Sequence, residues 1–164
     1  MSDPEESTRV GRNESVEEKM DRNWMELLQE LRVLQTGVQI LAGFLLTLPF
    51  QSRFETLDDF QVNLYLGNVA LAALTTALIL LPVSVHRRLF RLRLKATLVS
   101  SADRIAKVAL AGVGLLSVGT SALVFDVTAG RTAGLTAGAL LLAALLILLV
   151  YVPNMLRQRA SKGN

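Results

Sequence analysis

Four blocks of nearly unbroken apolar residues, about 33–50, 64–85, 105–125 and 133–152, alternate with charged stretches along the chain. A bilayer core about 30 Å thick takes roughly 20 mostly apolar helical residues to cross. Four blocks approach that length, and a water-soluble fold has no use for four. The pattern predicts an all-α fold, a four-helix transmembrane bundle of two helical hairpins. Ahead of the first block, Trp24, Leu27, Leu28, Leu31 and Leu34 keep the 3-and-4 spacing of an apolar helix face, while Glu26, Gln29, Glu30 and Arg32 are polar. An amphipathic helix is therefore expected at the inner membrane surface, running directly into span one.

The segments between and outside the blocks complete the organisation. Residues 1–23 are rich in Ser, Glu, Asp and Arg, a composition that cannot offset its ordering entropy, and are expected to be a disordered cytoplasmic tail. The membrane domain follows over 24–153, and 154–164 is read as a basic cytoplasmic tail. Pro49, Pro82 and Pro153 fall near the ends of spans, where a break in the helix costs least. Thr56, Asp58 and Asp59 suit the start of the second helix, because carboxylates there meet exposed backbone N–H groups.

Composition agrees with this reading: 51% of the 164 residues are hydrophobic and the mean hydropathy is +0.42. The chain has no cysteine, which excludes disulfides, thiolate nucleophiles and thiolate metal sites. Its net charge of +3 says less than its distribution. Of the 17 Lys and Arg, 14 lie before span one, between spans two and three, or after span four, and Lys107 lies in the first turn of span three beside them; only Arg53 and Arg131 lie on the other side. An even number of spans puts the three basic segments on one face, and the positive-inside rule makes that face cytoplasmic. The expected location is a bacterial plasma membrane, with both termini in the cytoplasm.

Three constellations are candidates for function. The first is a polar stripe, Arg32, Gln35, Thr36 and Gln39, on one face of the first helix. An amide facing hydrocarbon is costly, so the stripe should meet other helices or a hydrated crevice. Interhelical hydrogen bonding is the commoner role for such residues; a polar vestibule open to the cytoplasm is the sharper one. The second is the basic run between spans two and three, His86, Arg87, Arg88, Arg91, Arg93 and Lys95, with Leu89, Leu92, Ala96 and Val99 on another face. It reads as a second inner-surface helix on anionic lipid headgroups, each cation contributing about 1 kcal/mol. Held at the membrane and without aromatic interleaving beyond Phe90, it is not a nucleic-acid site. The third is the set of small residues Gly112, Gly114, Ser117, Gly119 and Ser121 in span three and Gly130, Gly134 and Gly138 at the start of span four. Small residues let backbones approach closely, so spans three and four should pair as a tight antiparallel hairpin, with a homodimer as the alternative use of the glycine face.

Other chemistry finds little support in the residues. His86 is the single histidine, which excludes multi-histidine metal sites and weakens any acid–base scheme. Neither a nucleophile–base pair nor a cofactor-binding loop is evident: Gly112-Val113-Gly114 lies inside a span with no preceding strand. No carboxylate falls at mid-membrane, where ion-coupled transporters usually carry an ionisable group.

The stretches Glu26–Phe54, ELLQELRVLQTGVQILAGFLLTLPFQSRF, and Leu81–Phe90, LPVSVHRRLF, carry a resemblance. They resemble a family of small uncharacterised bacterial membrane proteins, common in actinobacteria, with four spans and no established activity. Members are sometimes labelled sodium:proton antiporters. If the family has a working surface, the resemblance points to Arg32, Gln35 and Gln39, with Glu30 and His86 next.

The expected function is that of a small non-enzymatic membrane protein, without cofactor, that binds lipid, another membrane protein or further copies of itself. The alternative is a small-ion transporter of sodium:proton antiporter type, working as an oligomer, with Gln35 and Gln39 lining a hydrated path and Glu30 or Asp126 titrating during transport.

Overall fold

A computed structural model describes residues 15–89 and 95–162. Among them the chain is almost entirely helical: α1 (Val16–Thr47), α2 (Asp59–Leu89), α3 (Lys95–Ala129), α4 (Arg131–Leu146) and α5 (Val152–Lys162). Single turns of tight helix, Leu48–Phe50 and Ser52–Thr56, join α1 to α2, and a π turn, Ile147–Tyr151, joins α4 to α5. Four stretches, Asp21–Phe50, Asp59–Ser84, Ala102–Ala129 and Arg131–Arg159, are long and apolar enough to cross a membrane. The protein is a multi-pass membrane protein.

Each of the first three spans buries a seam that repeats every seven residues. On α1 the seam is Trp24, Leu27, Leu31, Leu34, Val38, Leu41, Leu45 and Leu48. On α2 it is Tyr65, Asn68, Ala72, Thr75 and Ile79, and on α3 Ala102, Ala106, Ala109, Val113, Leu116, Thr120 and Leu123. Alternating steps of three and four residues average 3.5 per turn, so helices meeting along such seams coil left-handedly around one another. α3 packs against all three other spans, and its alanines at the Lys95 end allow close approach. α4 packs chiefly on α3, leaving Leu140, Leu142, Leu146 and Leu148 turned outward.

Helix ends depart from the sequence reading in three places. The tail assigned to 1–23 is helical from Val16: Ser15 caps α1, its hydroxyl accepting from the Glu18 backbone N–H while the Glu18 carboxylate accepts from the Ser15 N–H. This capping box satisfies backbone donors that composition alone leaves unpaired. Pro153 does not end the fourth helical rod, and the basic tail 154–164 is helical to Lys162. The π turn immediately before Pro153 widens the helix where the ring would otherwise meet the preceding carbonyl, so the rod continues. Pro82 is likewise internal, buried in α2, which runs on to Leu89.

The turns between α1 and α2 fold over the bundle end, held by an edge-on contact of the Phe54 and Tyr65 rings, with centroids 5.1 Å apart. Asp58 caps α2 as anticipated for the 56–59 stretch. Its carboxylate accepts from the Gln61 backbone N–H at 2.9 Å, and the Gln61 side chain accepts from the Asp58 N–H at 3.0 Å. Gly130, at φ 92°, makes the tight reversal between α3 and α4 with a left-handed backbone that suits glycine. Both connections lie at one end of the bundle, here termed the loop end.

Candidate functional site

The polar stripe of α1 lies on the side of the helix opposite its buried seam. Arg32, Thr36 and Gln39 are exposed, Gln35 is half-buried, and Glu30 is exposed one turn before the stripe. Arg32 donates to the Gln29 side-chain oxygen at 3.2 Å, and the Thr36 hydroxyl donates to the Arg32 carbonyl at 3.0 Å. Gln39 has no hydrogen bond to another described residue. It stands eight residues before Thr47, the last residue of α1, so it lies about 12 Å along the axis from the loop end. Among the described residues Arg32, Thr36 and Gln39 make no side-chain hydrogen bond to another helix and face outward, while Gln35 lies half-buried on the flank of the seam.

A second cluster forms at the loop end. Asp126, in the last turn of α3, has a side chain only 3% exposed. Gln61 donates to its Oδ1 at 2.6 Å, tying α2 to α3. Arg131, in the first turn of α4, places Nε 3.4 Å from Asp126 Oδ2, a charge contact without hydrogen-bond alignment. The same guanidinium donates to the Asp58 carboxylate and lies 3.8 Å over the Phe60 ring. One arginine thus bridges α4, the end of α3 and the cap of α2. Asp58 is held below the usual aspartate range, chiefly by the Gln61 backbone N–H and then by Arg131. Buried in low dielectric, Asp126 depends on its two partners, because an unpaired charge there would be far costlier than one at a surface.

Glycines set how closely the helices approach. A Cβ at Gly134 would come within 2.6 Å of the Asp126 Cβ and 2.9 Å of the Ala122 carbonyl oxygen, and one at Gly138 within 3.2 Å of the Ala122 Cβ. The α3–α4 hairpin is therefore tight, as the small residues of α4 suggested. Gly112 and Gly119 serve a different contact: they face α2, where a Cβ would run into Thr75 and Asn68. Gly114, not they, receives α4, at Leu145.

The basic run is described only in part. His86, Arg87 and Arg88 lie in the last turns of α2 and Lys95 opens α3, while Arg91 and Arg93 fall outside the described residues.

Sequence reasoning missed the polar set on α2, half-buried Gln61 with buried Asn68 and Thr75 at intervals of seven, which faces buried Thr120 and Asp126 on α3. The seven-residue spacing was the available signal, since it keeps all three on one face of α2. Asn68 donates to the Leu64 carbonyl within its own helix, and the Thr120 hydroxyl is buried without a hydrogen-bond partner.

No curated protein and no solved structure matches the chain. Residues 13–153, from the cap of α1 to the start of α5 and including both connections at the loop end, match a family of unknown function, DUF6328, and the chain belongs to that family.

Proposed function

We propose that the protein is a non-enzymatic component of the bacterial plasma membrane, with both termini cytoplasmic, that acts by binding another membrane protein within the bilayer. The observation that carries this reading is the outward position of Thr36 and Gln39 on α1. A carboxamide turned to hydrocarbon is unfavourable, and a protein partner that hydrogen-bonds to it removes that cost. The cation count favours the cytoplasmic placement of the termini, and the basic residues between α2 and α3 suit anionic headgroups there.

A photo-crosslinking residue at position 39 tests the reading in membranes of cells making the protein. Protein adducts from position 39, and none from Leu140 on the outward face of α4, are expected. Lipid adducts alone from position 39 would overturn it.

A second reading, a small-ion transporter of the sodium:proton antiporter type working as an oligomer, draws on Asp126, a buried carboxylate near polar groups on α2 and α3. Two features weigh against it. Asp126 is engaged by Gln61 and Arg131, and Gln61, Asn68 and Thr75 stand about 10.5 Å apart along α2, too far to hand a proton directly from one to the next.

A further inference from the structure

The outward face of α1 carries more than the stripe. Gln29, Arg32, Thr36, Gln39, Gly43 and Leu46 follow one another at steps of three, four, three, four and three, and all are exposed. This is a second seven-residue seam, polar over its first four positions where the buried one is apolar, on the other side of the same helix. Gly43 lies in the seam itself, and, as at Gly67 on α2, a Cβ built there meets nothing within 4 Å, so no contact among the described residues calls for a glycine at that place. A helix laid along the seam would.

We infer that this seam is the contact between two copies of the chain, with α1 against α1 around an axis normal to the membrane; the inference deepens the reading of α1 as a binding surface. Copies inserted by the same charge rule share one orientation, so two α1 helices meet in parallel and residues of equal number face each other. The chemistry of the seam suits that symmetry. A carboxamide both donates and accepts, so Gln39 meets Gln39 with donors and acceptors matched and no second kind of partner required, while the Thr36 hydroxyl, which donates to the Arg32 carbonyl, keeps lone pairs free toward the seam. Gly43 lets the backbones approach at the deep end, and Arg32 stays at the watery end beside Gln29. A polar pair at one heptad position fixes register and copy number, which an all-leucine face would leave open.

Because the natural chain has no cysteine, single cysteines report the contact without background. Oxidation in native membrane vesicles should give disulfide-linked dimers from Thr36→Cys, Gln39→Cys and Gly43→Cys. Val33→Cys and Phe44→Cys, exposed at 64% and 45% but off the seam, should stay monomeric. Gln39→Leu combined with Thr36→Val should lower the dimer fraction, read by single-molecule photobleaching in vesicles, at least tenfold at equal protein-to-lipid ratio. Both sites are exposed within the chain, so this variant should keep the unfolding temperature of monomeric wild type in detergent. Equal crosslinking at all five positions, or none at the seam, would overturn the self-association. In the second case, adducts from position 39 to a different protein would still uphold the binding role of the stripe, so the two claims fail separately.

Discussion

The backbone of Gly134 lies directly against Asp126, so close that a methyl group at position 134 would fall 2.6 Å from the Asp126 Cβ. The same aspartate accepts from Gln61 and pairs with Arg131, so helix spacing and charge pairing at the loop end depend on each other. Gly134→Val should separate α4 from α3 and weaken both. Overpacking of this kind typically costs about 1–3 kcal/mol. Thermal unfolding in detergent should show a clear loss for Gly134→Val and a smaller one for Gly138→Ala, whose added methyl meets the Ala122 Cβ at 3.2 Å.

Arg131 is the one residue that touches Asp126, Asp58 and Phe60 together. Arg131→Ala leaves the Asp126 carboxylate buried beside Gln61 alone and should cost about 2–4 kcal/mol, reduced from the fully buried case because Arg131 is partly solvated. Arg131→Ala combined with Asp126→Asn should recover much of that loss, since the amide needs no counter-charge. Chemical denaturation of the four proteins in a double-mutant cycle measures the coupling.

Acidification should loosen the same end of the molecule. The Asp58 carboxylate is held below its ordinary value by the Gln61 N–H and by Arg131, so its contribution is complete above the ordinary aspartate range, about 3.9. It is lost as pH falls through the lowered value of the folded protein. Unfolding temperature should therefore show no contribution from Asp58 titration between pH 8 and about 5, and a drop below about 4. Asp58→Asn should lie beneath wild type at neutral pH and converge with it in acid.

The Thr120 hydroxyl is buried without a partner in the α2–α3 contact. Thr120→Val keeps the shape and removes the unpaired group, so it should be neutral or stabilising by about 1 kcal/mol. A raised or unchanged unfolding temperature is expected; a marked fall would mean that the hydroxyl is hydrogen-bonded after all.

How much of this was legible in the sequence follows from the reach of each interaction. The four spans were, because bilayer thickness dictates the length of an apolar run regardless of what the run packs against. The α2 start at Asp58 was too, since a cap is settled within four residues. The ends of α1 and α4–α5 were not: a capping box outweighed the polar composition of 16–23, and a π turn let the helix continue past Pro153. The loop-end cluster joins Asp58 to Arg131 across 73 positions and Gln61 to Asp126 across 65, and no local pattern encodes such pairings. The stripe is the instructive case. Helical spacing established that Arg32, Thr36 and Gln39 share a face, but α1 carries two seven-residue seams, and the sequence does not say which one the chain's own helices occupy.

The central claim is that this chain works through contact in the bilayer and does not move ions. Flux into sealed proteoliposomes after a pH or sodium jump, for wild type, Gln35→Ala/Gln39→Ala and empty vesicles, tests it most directly. Wild-type traces should superimpose on those of empty vesicles while the reconstituted protein remains folded and uniformly oriented. Flux above empty vesicles that the double substitution abolishes would contradict the claim and place an ion path along α1.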